Sequence, residues 1–495
     1  MALRDPGYDP AMAERRGGWR KGPGGTEDDE ETGAIPTGRY RRAASLGRLA
    51  ARAAVRDGAT RVTNYGRTDE ERSQRMSEQQ FRTAEQIVDV LGTMKGAAMK
   101  IGQVLSFMDV GLVPPEHREE FQRKLAKLRD MAPSVAFKDM RKVIEADMGM
   151  KLSEVFAEFD EQAIGAASIG QVYKARLRER PKGWSTDWAA VKVQYPGIDA
   201  AVRADLQNLG LILRLAKAVA PGLDVQAVGD EIRERTVEEL DYELEAQNQR
   251  TMARAHRGHP FVFVPEVATE LCGKRVTVTE FVEGEGFDAW QQKDQADRDR
   301  LAEIVFRFYY GGVWRDGQFS ADPHPGNSIL MADGRVAFLD FGLFHRISKE
   351  MVEKQAETIR LCLRRDGDAL LEHMQAIRWI PPSAGFTAQD ALEIAEKLVW
   401  FAMDDVDARL VPEHVAEMVF EVSDPRSPHW AKVRRATVPA EYVWSLRLGG
   451  MAIAVCAQLD ASLNYHRIVR EWLLGDEPQG DLGRLEADWL ASRGR

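Results

Sequence analysis

The residues of this 495-residue chain with the strongest claim to chemistry are Asp322, in Asp322-Pro-His-Pro-Gly-Asn327, and Asp340, in Asp340-Phe341-Gly342, thirteen residues after Asn327. An aspartate, an asparagine five residues on, and an aspartate closing the short apolar run 336–339 can converge on a divalent cation held by phosphates. Magnesium takes hard oxygen ligands, so a carboxamide and a carboxylate supply two while phosphate oxygens supply others. Asn327 and Asp340 are the expected ligands, which leaves Asp322 to orient or deprotonate an attacking hydroxyl. Asp333-Gly334, between the two stretches, reads as a hairpin turn that folds them together. Each aspartate alone is an ordinary turn cap. The spaced set points to phosphoryl transfer.

A lysine that meets nucleotide phosphates is the natural complement. Lys192 fits, lying in Trp188-Ala-Ala-Val-Lys192-Val, where an ammonium among apolar neighbours is unusual. A strand lysine of this type is held by a helix carboxylate. Candidates lie about fifty residues on, in Glu238-Glu239-Leu-Asp241-Tyr-Glu243-Leu-Glu245, although that density of acid also suits a solvated helix face. Upstream, Gly165-Ala166-Ala167-Ser168-Ile169-Gly170-Gln171-Val172 is a small-residue turn entering a strand. Small residues let backbone N–H groups approach phosphate. Alone it is an ordinary tight turn.

Periodicity supplies the elements that must position these groups. Residues 168–177, 188–194, 261–264 and 274–281 are strand-length runs, with a helical block over 199–255 among them. From residue 76, Phe81, Ala84, Val88, Leu91, Ala98 and Ile101 recur at helical spacing. Pro114-Pro115 breaks that pattern, and residues 116–129 read as a second helix. After residue 288 the chain reads as helical apart from a loop-rich 316–344. Residues 448–459 fall short of the roughly 20 apolar residues of a membrane span and contain Gln458, so a buried helix is expected. Trp379, Trp400, Trp430, Trp444 and Trp472 read as core aromatics. The order is helical preface, small mixed sheet, helical body, and the expected class is α+β.

Composition sets the outer limits. The chain is 44% hydrophobic and 29% charged, and its 68 basic against 78 acidic residues leave a net charge of −10. That argues against wholesale disorder and against a chain that coats nucleic acid. The mean hydropathy is −0.39. Cys272, Cys362 and Cys456 are too few and too scattered for a disulfide framework, so a reducing, cytoplasmic compartment is expected. The first 35 or so residues, rich in Gly, Pro and charge, read as a disordered tail. Residues 39–67 then carry eight arginines against one acid, Asp57, interleaved with Leu46, Leu49 and Val55. Such a segment either lies on an anionic membrane surface or is a solvated arginine-rich linker. His256 and His259 do not form a metal-ligand set. His324, in the Asp322 loop, either assists proton transfer or shapes the loop.

Taken in order, these motifs resemble the UbiB family of atypical protein-kinase-like proteins, also called the AarF or ADCK group, over about residues 85–350. Lys100-Ile101-Gly102-Gln103 matches the family's K-x-G-Q signature, on a helix that in the family folds over the site where a protein substrate would bind. Ala166, Ala167 and Ser168 match an alanine-rich loop that replaces the usual glycine-rich one; Gly165 stands where the family usually has a further alanine. Lys192 matches the strand lysine and Glu245 its paired glutamate. Glu239-Leu240-Asp241 resembles the E-x-D element that engages the K-x-G-Q helix. Glu280-Phe281-Val282 resembles the hinge that binds adenine through its backbone. Asp322 and Asn327 match the catalytic loop, and Asp340-Phe341-Gly342 the metal-binding motif. No arginine precedes Asp322 and no A-P-E follows, so regulation by activation-loop phosphorylation is not suggested.

The resemblance implies a bilobal protein-kinase-like fold. Its expected divisions are a tail with a basic segment (1–75), a helical extension carrying K-x-G-Q (76–148), an N-lobe (149–284), a C-lobe core (285–370) and a helical C-terminal extension (371–495). It implies ATP or ADP with magnesium as cofactors. Asp322 and Lys192 would be catalytic, Ala166, Ala167, Ser168, Glu245, Glu280 and Val282 would contact nucleotide, and Lys100, Gln103, Glu239 and Asp241 would regulate. The activity implied is an atypical kinase or ATPase serving isoprenoid-quinone or other lipid metabolism. Some quinone-linked members end in transmembrane helices. None is expected here, so peripheral docking on the inner membrane face through residues 39–67 is the corresponding expectation. Nucleotide, a lipid or quinone precursor and an anionic membrane are the expected partners, and nucleic acid is not. Two rivals stand beside this reading: a protein Ser/Thr kinase, and a pseudokinase scaffold that binds nucleotide without turnover.

Overall fold

The computed structural model describes residues 135–494, other than 168, 208, 211–212, 214–224, 424–426, 428–429, 434 and 437. The tail, the arginine-rich segment, the helices expected over 76–129, and Lys100, Gln103 and Ser168 lie outside the described residues.

The first lobe is built along the chain from α1 (Phe137–Met148), β1 (Phe156–Phe159), β2 (Gly165–Ala166), β3 (Gly170–Leu177) and β4 (Trp188–Gln194). There follow α2 (Ile198–Leu206), α3 (Val225–Glu238), α4 (Tyr242–Ala255), β5 (Val262–Phe263), which crosses to a sheet of the second lobe, and β6 (Val276–Glu280). Strands pair in the order β1-β3-β4-β6, all antiparallel, with β2 added to β3. Alternation along β4 explains where its lysine goes. Ala189, Val191 and Val193 are wholly buried, so the period of two turns Lys192 to the opposite face. Helix α1 lays its buried Met140, Val143 and Ile144 into the same core.

The single helical block expected over 199–255 is interrupted. Helix α3 stops at Glu238 and α4 restarts after Asp241, whose side chain accepts the N–H groups of Glu243 and Leu244 at 3.1 and 3.2 Å. An aspartate at the N-cap outcompetes helix continuation because it satisfies donors that would otherwise be orphaned.

The second lobe centres on α5 (Gln295–Asp316), capped by Asp294 at one end and by Gly317 in the left-handed region at the other. Its residues 301–313 are buried on nearly every side, Arg307 among them, while the polar first turns stay at the surface. Four short strands follow, β7 (Gln318–Ser320), β8 (Ser328–Leu330), β9 (Val336–Phe338) and β10 (Phe344–Arg346). The loop-rich reading of 316–344 missed β7 and β10. Three-residue strands carry almost no periodic signal and exist only through their partners.

Helices α6 (Lys349–Leu363), α7 (Gly367–Ala376), α8 (Ala388–Val399), α9 (Pro412–Ser423), α10 (Ala440–Gln458), α11 (Tyr465–Leu474) and α12 (Gly480–Ser492) complete the chain. Helix α10 packs along α5, and its Leu448, Ile453 and Cys456 share one core with Phe306, Phe338 and Phe341. The apolar run 448–459 is thus a buried helix. Trp379 and Trp444 are core residues, and Trp400 and Trp472 pack partly buried against the core. The Trp430 side chain lies outside the described residues. No described helix is long and apolar enough to cross a membrane.

Candidate active site

Strand β4 and helix α4 bring the first pair together. Lys192 lies between Val172 and Thr277 in the sheet, and Glu245 occupies the first turn of α4 on the stripe shared by Tyr242, Asn248, Gln249 and Met252. The Lys192 ammonium meets both carboxylate oxygens of Glu245, at 2.6 and 2.9 Å. Asp340 stands 3.9 Å from the same ammonium, and the Tyr242 ring 4.9 Å. Burial alone would lower the Lys192 pKa. Glu245 and Asp340 outweigh it and hold the group well above its ordinary value, so the lysine stays charged.

Two ladders lace the loops that carry Asp322 and Asp340. Strand β7 pairs with β10, placing Ser320 opposite Phe344, and the Ala321 N–H donates to the Leu343 carbonyl at 2.7 Å. Strand β8 pairs with β9, and the Leu339 N–H donates to the Asn327 carbonyl at 2.9 Å. Both ends of the 321–327 loop are therefore tied to the segment carrying Asp340. The turn expected at Asp333-Gly334 forms, with Gly334 at φ 84°. Phe341 is fully buried, and its carbonyl accepts from the Asn248 amide at 3.4 Å.

Within these loops the donor set suits a hard cation. The Asn327 Nδ2 donates to the Asp322 carbonyl at 3.3 Å, so its oxygen is the end that can serve a metal. Asp340 Oδ1 accepts the Gly342 N–H at 2.9 Å, which orients the carboxylate without neutralising it. Among the described residues no three His, Cys, Asp or Glu side chains gather as a metal cluster. An asparagine and an aspartate completed by phosphate oxygens is the arrangement that fits magnesium. His324 accepts the Gly326 N–H on Nδ1 at 3.0 Å, so its ring shapes the loop.

One charged group beside Asp322 escaped the sequence reading. Arg447, on α10, is 3% exposed, and its guanidinium lies 3.9 Å from Asp322. Burial pulls its pKa below the ordinary arginine value, while Asp322 and Glu239 oppose that shift. Its signal was a lone cation in Ser445-Leu446-Arg447-Leu448-Gly449, since arginine is almost never buried without a partner.

The remaining expected residues divide. Ala166 pairs with Gln171, and Ala167 and Gly170 close the turn by exchanging backbone hydrogen bonds at 2.8 and 3.5 Å. Gly170 is demanded sterically: a Cβ there would lie 2.2 Å from the Val193 carbonyl oxygen. Glu280 ends β6, where its N–H donates to the Glu266 carbonyl at 2.9 Å. Its carboxylate accepts the N–H and hydroxyl of Ser185 at 2.6 and 2.5 Å, so that side chain fastens the loop before β4. Val282, two residues on, is buried. Asp241 caps α4. Glu239 lies near the Asp340 turn, its Cγ 3.9 Å from where a Cβ on Gly342 would be.

Known proteins resemble this chain over much of its length. Residues 127–374, half of the chain, match the family model of the ABC1 atypical kinase-like domain. The AarF domain-containing protein kinase 1 of Xenopus tropicalis is 31% identical over 280 residues, 55% of this chain and 51% of that protein. The mitochondrial atypical kinase COQ8B of Rattus norvegicus is 30% identical over 298 residues, 60% of this chain and 54% of that one. The chain thus spans about half the length of the curated relatives it matches. The solved structure of Rv3197 from Mycobacterium tuberculosis, in complex with erythromycin, is 30% identical and superposes with a TM-score of 0.57 over 82% of this chain and 98% of that one. The residues matched by the family model, 127–374, include the lysine strand and both laced loops, and with half of the chain inside that model the protein belongs to the ABC1 atypical kinase-like family.

Proposed function

We propose that the chain binds ATP with magnesium and transfers or hydrolyses its terminal phosphoryl group. The observation that carries this reading is Lys192, locked 2.6 Å from Glu245 and 3.9 Å from Asp340. Lys192 presents its charge to the α- and β-phosphates, and Glu245 fixes its position. Ala166 and Ala167, with Ser168 beside them in sequence, form a small-residue turn that lets the phosphates approach the backbone closely, and the backbone of Glu280–Val282 receives the base. Asn327 and Asp340 would hold magnesium, which when bound neutralises phosphate charge. Asp322, with Arg447 beside it, orients the attacking hydroxyl or water and takes its proton.

Phosphate release from Mg-ATP by the full chain tests the proposal. Asp322→Asn should slow release roughly 100-fold while nucleotide still binds, and Asp340→Asn should raise the magnesium requirement. No release by the parent, with or without liposomes and phenolic quinone-precursor mimics, would leave only a scaffold. Label appearing in protein would favour a protein kinase. Equal Mg-ATP affinity in the parent and Lys192→Ala would refute the site itself.

The family resemblance supports an isoprenoid-quinone or other lipid pathway as the setting, reached from a peripheral position on the membrane. Flotation with anionic vesicles, comparing the full chain with one beginning at Met76, tests the arginine-rich segment. Equal recovery of both in the lipid fraction would count against docking through it.

A further inference from the structure

The corner where α4 gives way to β5 joins two members of the candidate site. Ala255 ends α4 ten residues beyond Glu245, about 15 Å at a helical rise of about 1.5 Å per residue. Strand β5 then runs parallel to β9, pairing Val262 with Val336 and Phe263 with Ala337, and Asp340 follows two residues after β9. Between its ends α4 is pinned by Asn248 and Gln249, whose amides donate to the Phe341 and Pro265 carbonyls at 3.4 and 2.9 Å. A shift at Ala255 therefore turns the helix about that point and moves Glu245 against Lys192, 2.6 Å away.

Helix α12 covers this corner. Glu486, Trp489 and Arg493, spaced three and four apart, share one side of it. The Arg493 guanidinium donates to the carbonyls of Arg254, Ala255 and Arg257 at 3.2, 2.9 and 3.2 Å. They lie at and just past the negative end of α4, where a helix leaves acceptors without partners of its own. Trp489 Nε1 donates to the Arg257 carbonyl at 3.4 Å, and its ring lies 4.4 Å from that of His259. Glu486 is 3% exposed and meets Arg307, at 3.1 Å, and Arg315, both on α5. Burial would raise its pKa, but Arg315, His259 and Arg307 hold it far below the ordinary carboxylate value, so it is charged. His259 accepts the Phe261 and Val262 N–H groups on Nδ1 at 3.4 and 3.2 Å, which leaves its proton on Nε2, 3.4 Å from Glu486.

We propose that α12 is a brace for the nucleotide site: anchored on α5 by Glu486, it holds the α4–β5 corner through Trp489 and Arg493, and so fixes Glu245 and Asp340 around Lys192. Trp489 and Arg493 are positioning residues, acting only through α4 and the β5–β9 pair. A brace released from the corner loosens the Lys192 clasp, and Mg-ATP, which needs the clasp, binds more weakly. That consequence for nucleotide rests on the phosphoryl-transfer reading, whereas the mechanical coupling does not.

The test compares the full chain with Arg493→Ala, Arg493→Lys and the double variant Trp489→Ala, Arg493→Ala, with folding checked by circular dichroism. Without nucleotide, hydrogen exchange at residues 242–247 and 336–340 should be at least about threefold faster in the double variant. Helix α7, which belongs to a separate core, should exchange as in the parent. Mg-ATP affinity should fall roughly fivefold in Arg493→Ala and roughly tenfold in the double variant. Arg493→Lys, whose ammonium can still donate to the α4 carbonyls, should bind Mg-ATP within about twofold of the parent. Should the double variant fail to fold, Arg493→Ala decides in both assays. Faster exchange confined to residues 254–262 would mean a purely local contact and would overturn the inference. So would acceleration that includes α7, an Arg493→Lys no better than Arg493→Ala, or a parent-like Mg-ATP affinity in Arg493→Ala. A parent that binds no Mg-ATP would refute the nucleotide reading instead, and exchange at residues 242–247 and 336–340 would still decide the brace.

Discussion

Replacing Lys192 by methionine separates what the lysine does for the fold from what it does for the nucleotide. The side chains of Lys192 and Glu245 are 22% and 9% exposed, and 2.6 Å separates their charges. At an effective dielectric constant of about 20, that distance corresponds to about 6 kcal/mol of attraction, most of it offset by desolvation of the two groups. Removing the lysine alone cancels the attraction and leaves Glu245 desolvated beside Asp340. Breaking a buried pair costs about 3–5 kcal/mol. Because Lys192 is about a fifth exposed, solvent screening brings the cost to the bottom of that range or just below it, about 2–3 kcal/mol. Glu245→Leu alone should cost about 1–2 kcal/mol, since Asp340 still faces the lysine at 3.9 Å. The double variant Lys192→Met, Glu245→Leu holds no uncompensated pair and should stay within about 1 kcal/mol of the parent. The coupling measured by urea unfolding should then be about 2 kcal/mol or more. A second arm adds Mg-ATP at about 100 times its dissociation constant, which should stabilise the parent by about 2.7 kcal/mol and the double variant not at all. Losses that add to within about 0.5 kcal/mol would show that the two side chains do not act as a pair, and the site built on them would fall.

Three further outcomes follow from other parts of the molecule. Arg447→Met, 3.9 Å from Asp322, should lower kcat for phosphate release roughly tenfold, about 1.4 kcal/mol, with the KM for ATP unchanged; a change in KM alone would place Arg447 elsewhere in the cycle. His256, 5% exposed, is held neutral because burial lowers its pKa to about 3. Unfolding takes up its proton, so the stability it contributes is complete above pH about 6.5 and is lost as pH falls from there towards 3, by about 1.4 kcal/mol per pH unit. Urea midpoints at pH 7 and pH 5 should differ accordingly, and less so in His256→Phe; identical midpoints in the parent would contradict the burial argument. Gly170→Ala, whose methyl would meet the Val193 carbonyl at 2.2 Å, should destabilise by about 1–3 kcal/mol and speed hydrogen exchange in β3 and β4. Parent-like stability would show that the strands can separate at that point.

The residues legible in the sequence were those whose chemistry violates their surroundings. Lys192 stood out as an ammonium in an apolar strand, and β4 has the limits 188–194 that its strand-length run suggested. Asp333-Gly334 announced a hairpin because a tight turn needs a residue that tolerates positive φ. Strands β7 and β10 were invisible because three residues hold no period. The break at Asp241 hid in a run of carboxylates that reads equally well as one helix surface. Glu280 was placed by its position after a strand, which says nothing of where its carboxylate turns. Arg447 required knowledge that α10 folds back against a loop more than a hundred residues earlier, and no local pattern encodes such a contact.

The packing of α10 and α11 on α5 also has a consequence for synthesis of the chain. The core around Phe306 and Phe338 is completed only by residues such as Ile453, Tyr465 and Ile468. Roughly 160 residues separate the end of α5 at Asp316 from the end of α11 at Leu474. At about 5–20 residues per second, the apolar sides of α5 emerge about 8–30 s before their cover is made. The first lobe, whose sheet is complete by Glu280, can close within that interval. The second lobe must wait with its largest aromatic surface bare, so the nascent chain offers chaperones a long-lived binding face that the finished protein hides.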